Sequence, residues 1–223
     1  MKLRILRTCR LAGQASAILL LATALTVSAQ TGATRMGEFI IGGEPGAPIK
    51  IEVFSDYQCP ACRTFYLDTI KPILANYTRA QIGPAGQPVK PRVCVVYRDF
   101  PLDIHQFARP AARLSLAAQQ LGRERWLRVS EALYTYQAEW AQDGKFDATL
   151  ARVLNPTEMM RLRKLAADPA IDAMVGQELM LGQRREITST PTFFITTMTG
   201  HEQRINGPVP YTLMKDYLDR LLK

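Results

Sequence analysis

Two cysteines three positions apart, Cys59 and Cys62, enclose Pro60 and Ala61 and are the residues of this 223-residue chain best placed to do chemistry. A pair at this spacing serves either metal binding or thiol–disulfide exchange. Structural zinc takes four ligands. The other candidates here, Cys94, His105 and His201, include no second closely spaced pair, so the expectation is a redox pair with no metal. A structural cross-link gains most from closing a long loop, and this loop is very short. Pro60 suits the first position of a helix, where a missing N–H is no loss. Cys59 would then face the unpaired N–H groups and positive dipole end of that helix, which stabilise a thiolate. Cys59 is expected to be the exposed attacking and leaving sulfur. Cys62, one turn further in, is expected to be buried and to resolve the mixed disulfide.

The flanking sequence supplies the elements that would position this pair. Residues 49–54 alternate apolar and polar as a strand does. Phe65, Tyr66, Ile70, Ile73, Leu74 and Tyr77 recur at helical spacing after Cys62, with Pro72 expected to kink the helix. Residues 83–91 form a Gly/Pro-rich loop, and residues 92–97 read as a second, buried strand. Cys94 falls in that strand and reads as an inert buried thiol. Helical patterning then fills residues 105–186, with predicted helices over 105–121, 124–136 and 147–153. Two more begin at Asn155-Pro156 and Asp168-Pro169, the first with Glu158 completing a capping box. Strands are predicted at 192–197 and near 202–205, with a turn at Gly200, and an amphipathic helix follows Pro210. That is far more helix than one crossover needs. The residues by themselves describe a small α/β domain interrupted by a helical insertion.

The N-terminus reads as an export signal. Lys2, Arg4, Arg7 and Arg10 precede an apolar stretch over residues 15–27, and Val27-Ser28-Ala29 offers small residues for cleavage. The stretch is shorter than the roughly 20 apolar residues of a membrane span, so cleavage after Ala29 is expected rather than a retained anchor. Cys9 would be lost with residues 1–29, and residues 30–42 would form a flexible leader. The formal charge of +8 falls to +4 once the four basic residues of the signal are removed, an ordinary value. The arginines between Arg109 and Arg128 come without aromatic interleaving or a nucleic-acid motif, so no nucleic-acid partner is expected.

Three ordered segments carry a family resemblance. The run from Gly43 to Cys62, with Ser55-Asp56-Tyr57-Gln58 leading into the cysteines, resembles the DsbA-like branch of the thioredoxin superfamily. Tyr97-Arg98-Asp99-Phe100-Pro101-Leu102, followed by His105, is similar to the strand leading into that family's helical insertion. Thr190-Pro191-Thr192-Phe193-Phe194-Ile195 is similar to its cis-proline loop and the strand after it. The resemblance implies a thioredoxin fold over residues 43–223 with an all-helical subdomain inserted at about 105–186. It also implies that Pro191 is cis beside the cysteines and that Thr190 offers its backbone to an extended peptide. Spacing alone would make Pro191 a trans proline opening a strand. By resemblance Glu52 aligns with a buried acid that moves protons near the resolving cysteine; as a residue of an alternating strand it reads equally as solvent-facing. Asp56 is expected to be a surface loop acid, and His105 a packing residue at the start of the insertion. The pair here encloses Ala61 where the strongly oxidising relative has a histidine, which implies a less acidic Cys59.

The function implied is that of an exported protein-disulfide oxidoreductase working through a redox-active Cys59–Cys62 disulfide without any other cofactor. Its expected partners are unfolded or partly folded exported proteins and, by family, a membrane redox partner, in the periplasm or at the extracytoplasmic face. Disulfide donation is the expected direction. A reductase or isomerase in the same compartment, and a thioredoxin-like peptide-binding chaperone without turnover, are the alternatives.

Overall fold

The computed structural model describes residues 37–82 and 84–223. The expected signal, Cys9 and most of the expected leader lie outside the described residues. The sheet is built from β1 (Ile40–Gly42), β2 (Ile49–Ser55), β5 (Val93–Asp99), β6 (Thr192–Thr197) and β7 (Glu202–Asn206), in the order β1-β5-β2-β6-β7. β3 (Gln81–Ile82) and β4 (Pro88–Val89) form a separate ribbon within the Gly/Pro-rich loop. β2 runs parallel to β5, with Ile51 opposite Val95, and antiparallel to β6, with Ile51 opposite Ile195. A parallel pair needs a crossover. Here it is made by α1 (Pro60–Phe65), a π-helical turn (Tyr66–Ile70) and α2 (Lys71–Asn76). Central strands covered on both faces read as apolar runs, and all seven residues of β5 are buried. The edge strand β7 carries exposed Glu202, Gln203 and Arg204, side chains that discourage pairing with another chain.

The kink expected at Pro72 takes the form of that π turn. Pro72 has no N–H to donate, and a wider i→i−5 bond from Lys71 to the Tyr66 carbonyl carries the chain past it. The leader expected over residues 30–42 is corrected at its end. Ile40–Gly42 pairs antiparallel with β5, and Ile41 is buried. Three residues are too few to show alternation; what makes them a strand is the otherwise open edge of β5.

The insertion comprises α3 (Ala108–Gln120), α4 (Arg123–Thr135), α5 (Gln137–Trp140), α6 (Asp147–Leu150), α7 (Pro156–Ala166) and α8 (Pro169–Arg184). Asn155 and Glu158 close the expected capping box at 2.9 and 3.1 Å, and Asp168 caps α8 by accepting from Ala170 N at 2.8 Å. α3 starts three residues later than the patterning suggested, because His105 is drawn off to Asp56. The four-residue α5 is too short for periodicity to reveal. The C-terminal α9 (Tyr211–Leu221) buries Met214 and Leu218.

Strand alternation divides the core. Ile49, Ile51 and Val53 of β2 pack with Cys62, Phe65, Trp126, Leu133 and Phe193 on one face of the sheet. Phe54 packs with Phe100, Ile187 and Phe194 on the other. Gly182 of α8 is required there, since a β-carbon at that position would fall 2.3 Å from the Phe100 ring. Ala112 and Leu116 of α3 meet Ile171 and Val175 of α8 in a third cluster that ties the insertion together.

Candidate active site

β2 ends at Ser55, and the loop beyond it is held by Asp56. This acid is 1 % exposed, not the surface residue the sequence suggested. Its carboxylate accepts from Gln58 N at 2.7 Å and Leu102 N at 2.9 Å, and pairs with His105 Nδ1 at 2.7 Å. His105 therefore joins the loop before the cysteines to the start of the insertion. Gln58 adds two bonds to the insertion, accepting from Phe107 N and donating to the Ala141 carbonyl, each at 2.7 Å. Gln137 Nε2 donates to the carbonyls of Tyr57 and Cys59 at 2.7 and 3.1 Å.

Cys59 is the N-cap of α1, in an extended conformation, and Pro60 takes the first helical position. Cys59 is 8 % exposed and Cys62 fully buried, both as free thiols. The contrast between them is as expected, although Cys59 is more covered than an exposed sulfur would be. The Cys59 thiol is lowered from its ordinary value of 9.0 to about 6. The hydrogen bond from the Cys62 thiol does most of this; the N–H groups of Cys62 and Ala61 and contact with Thr190 assist, and partial burial opposes them. A residue in a helix interior has no free N–H to offer; at the first turn the backbone is free to solvate an anion. Cys62 is pushed well above the usual thiol value, first by burial and then by the neighbouring Cys59. One sulfur is thus charged at neutral pH and the other protonated. Half-buried Ala61 contributes its backbone and no side-chain polarity.

The segment before β6 completes the site. The Thr190–Pro191 peptide is cis. The Cys59 thiol points at the Thr190 carbonyl, 3.4 Å away, and Thr192 Oγ1 fixes the loop by donating to the Ser189 carbonyl at 2.7 Å. The Pro191 carbonyl accepts from Gly207 N at 2.8 Å. Beyond Gly207, Pro208, Val209 and Tyr211 face Thr64 and Phe65 of α1 across a cavity of about 290 Å³.

Glu52 is buried, as the resemblance implies, but it does not lie on the face of the resolving cysteine. It is 4 % exposed, so it does not face solvent. It lies on the Phe54 side of β2, paired with Arg98 Nε at 2.9 Å and Arg185 Nη1 at 2.6 Å, and Arg185 in turn covers the Phe194 ring. Val53, the next residue, shares the face of Cys62. A side-chain period of two puts neighbours on opposite faces, so the sheet separates this carboxylate from the resolving cysteine. Cys94 is buried in β5 as expected, and burial pushes its thiol up to about 11. No three metal-binding side chains converge among the described residues. Ser55, Gln137 and Tyr134, all buried around the pair, were not singled out in the sequence because each is a lone polar residue in an otherwise ordinary strand or helix.

A family model described as thioredoxin matches residues 35–220. The chain belongs to the thioredoxin family. Among solved structures this thioredoxin-family protein is similar to Wolbachia pipientis α-DsbA1 at 20 % identity and TM-score 0.62, over 81 % of this chain and 88 % of that one. It is similar to Pseudomonas aeruginosa DsbA2 at 24 % identity and TM-score 0.62, over 81 % and 92 %. The catalytic domain of Proteus mirabilis ScsC follows at 18 % identity and TM-score 0.59, over 81 % and 86 %. The thioredoxin-family protein thus has the DsbA-like form of the fold, with its inserted helical subdomain. No match was found among curated proteins.

Proposed function

We propose that the protein is an exported protein-disulfide oxidoreductase that donates the Cys59–Cys62 disulfide to folding exported proteins. The observation that carries this reading is the asymmetry of the pair: a thiol lowered to about 6 at the helix N-terminus beside a buried thiol held protonated. Oxidation of a substrate begins when its thiolate attacks the Cys59 sulfur. The Cys59–Cys62 bond breaks, its electron pair goes to Cys62, and substrate and Cys59 are joined as a mixed disulfide. A second substrate thiolate then attacks the substrate sulfur of that bond. Cys59 leaves as a thiolate, and the substrate keeps the new disulfide. The protein has gained two electrons, which a membrane redox partner would remove. A low thiol pKa makes Cys59 a good leaving group and stabilises the reduced form, which favours donation.

The cis-proline loop, with the Thr190 backbone set against the Cys59 sulfur, suits an extended, unfolded peptide, because strand-like recognition depends on main chain more than on side-chain identity. The apolar lining from Phe65, Val209 and Tyr211 suits segments that are buried once the substrate has folded. Export is supported by the basic and apolar N-terminal sequence. Related proteins span about −270 mV for thioredoxin to −120 mV for DsbA. Equilibration of the purified protein with glutathione buffers tests the direction. A potential nearer −120 mV supports donation; one nearer −270 mV replaces it with a reductase or isomerase. N-terminal sequencing of the exported protein tests cleavage after Ala29.

A further inference from the structure

Whichever way electrons flow, Cys62 passes through a charged state: it is the leaving sulfur when the internal disulfide opens and the attacking sulfur when it closes. This happens at a site with no exposure, where an uncompensated charge is strongly disfavoured. The carboxylate expected to help is absent from this face, since Val53 stands there and Glu52 is bound to two arginines beyond the sheet. Asp56 offers Cys62 its backbone N–H at 3.4 Å, but its carboxylate is engaged by Gln58, Leu102 and His105.

What this face does offer is hydroxyls. Ser55, the last residue of β2, falls on the same face as Val53, which packs with Cys62, and directly precedes Asp56, whose N–H meets the Cys62 sulfur. Its Oγ is 2.7 Å from the Tyr134 hydroxyl, which is 2.6 Å from the Tyr97 hydroxyl. All three residues are buried. The Tyr134 ring is held between Tyr66, stacked at 4.8 Å, and Tyr57 at 4.7 Å, so its hydroxyl is kept in place. We propose that Ser55, Tyr134 and Tyr97 form a line of hydroxyl groups that stabilises the Cys62 thiolate during exchange, with Tyr134 of the helical insertion as the positioning residue. This rests on the oxidoreductase reading.

Either hydroxyl of each pair can be the donor; a thiolate at Cys62 selects the order in which Tyr97 donates to Tyr134, Tyr134 to Ser55, and Ser55 to the sulfur. Each hydroxyl keeps its own proton, so the line supplies dipoles rather than a base, and successive hydrogen bonds strengthen one another. Burial raises both phenols well above their ordinary value, which keeps them donors. The other groups facing Cys62 are Cys59 on α1 and Thr190 before β6. Further along β5, Asp99 is held well above the usual carboxylate range, first by burial and then by Glu178, and its charge adds to the rise of the Tyr97 phenol.

The test follows one chemical step. Reduced protein is mixed with oxidised glutathione: the Cys59 thiolate attacks it, releases one glutathione thiolate and retains the other as a mixed disulfide. The Cys62 thiolate then attacks Cys59 and expels that second glutathione. The rate of this expulsion is followed against pH by acid quench and mass spectrometry. Tyr134→Phe is expected to slow it about tenfold at pH 7, the size of one hydrogen bond to a charged group, and to displace its rise to higher pH. Ser55→Ala is expected to move it in the same direction and serves if the tyrosine variant fails to fold. Tyr57→Phe is the control for losing a buried hydroxyl, since that group bonds Ser115 and Ser130 instead, and should retain the wild-type profile. Unshifted profiles in the Tyr134 and Ser55 variants overturn the proposal while leaving the oxidoreductase reading intact, as does an equal shift in Tyr57→Phe. A wild-type protein that never expels glutathione overturns both.

Discussion

The side-chain amide of Gln137, in the helical insertion, donates to the backbone carbonyl of Cys59 at 3.1 Å while its other bond goes to Tyr57 at 2.7 Å. The insertion thereby holds the residue that caps the active-site helix. Gln137 is itself buried, so its loss leaves the Tyr57 carbonyl without this donor, while the Cys59 carbonyl keeps its bond from Arg63 N at 3.1 Å.

Gln137→Ala is accordingly expected to lower stability by about 2 kcal/mol, the cost of a buried polar group left unpaired. A urea unfolding curve should show the midpoint falling with the slope unchanged. An unchanged midpoint would mean that the loop before Cys59 is held without the insertion.

Cys59 reacts as its thiolate. Its thiol is lowered to about 6 by Cys62 and the first-turn N–H groups, so alkylation of the reduced protein should be fast and level above that pH and decline as pH falls through it. Cys62→Ser should still react there and trap mixed disulfides with substrate proteins, whereas Cys59→Ser should abolish exchange altogether. If Cys59→Ser kept full activity in a refolding assay, the protein would be a peptide-binding chaperone and not a catalyst.

Glu52→Gln should separate structure from chemistry. Removing this charge leaves buried Arg98 without its 2.9 Å partner and frees Arg185, a change expected to cost roughly 3 kcal/mol. Because Glu52 lies across the sheet from Cys62, the pH profile of thiol exchange should stay where it is. A displaced profile would restore the carboxylate to the proton chemistry of the pair.

Ala61→His adds a cationic or hydrogen-bonding side chain beside the Cys59 thiolate, where Ala61 now offers only its N–H. The alkylation midpoint should move below pH 6 and the disulfide should become more oxidising, read by glutathione equilibration. A potential that does not move would mean that the backbone donors already saturate the sulfur.

Much of this molecule is legible from local pattern. Residues 49–54 alternate, Asn155-Pro156 and Asp168-Pro169 announce helix starts, and Cys59-Pro60 marks the first turn of a helix; each depends on neighbours a few positions away, and each forms where expected. Elements without enough local pattern escaped. Ile40–Gly42 is a strand because β5 offers it an edge, and α5 spans only four residues. Asp56 looked like a surface acid because nothing near it in sequence shows that Leu102 and His105 fold back over it.

Sequence alone therefore determined the reactive pair, the helix that polarises it and the order of elements that frames it, since those depend on residue type and short-range spacing. Tertiary structure decided which groups meet the buried sulfur. Whether residue 52 or residue 53 faces Cys62 is a matter of strand register against the helix above it, and it sends the carboxylate to Arg98 and Arg185 and puts Ser55 on the face of the buried sulfur. Tyr134 reaches Ser55 from 79 residues away, a distance that only packing of the insertion against the sheet closes.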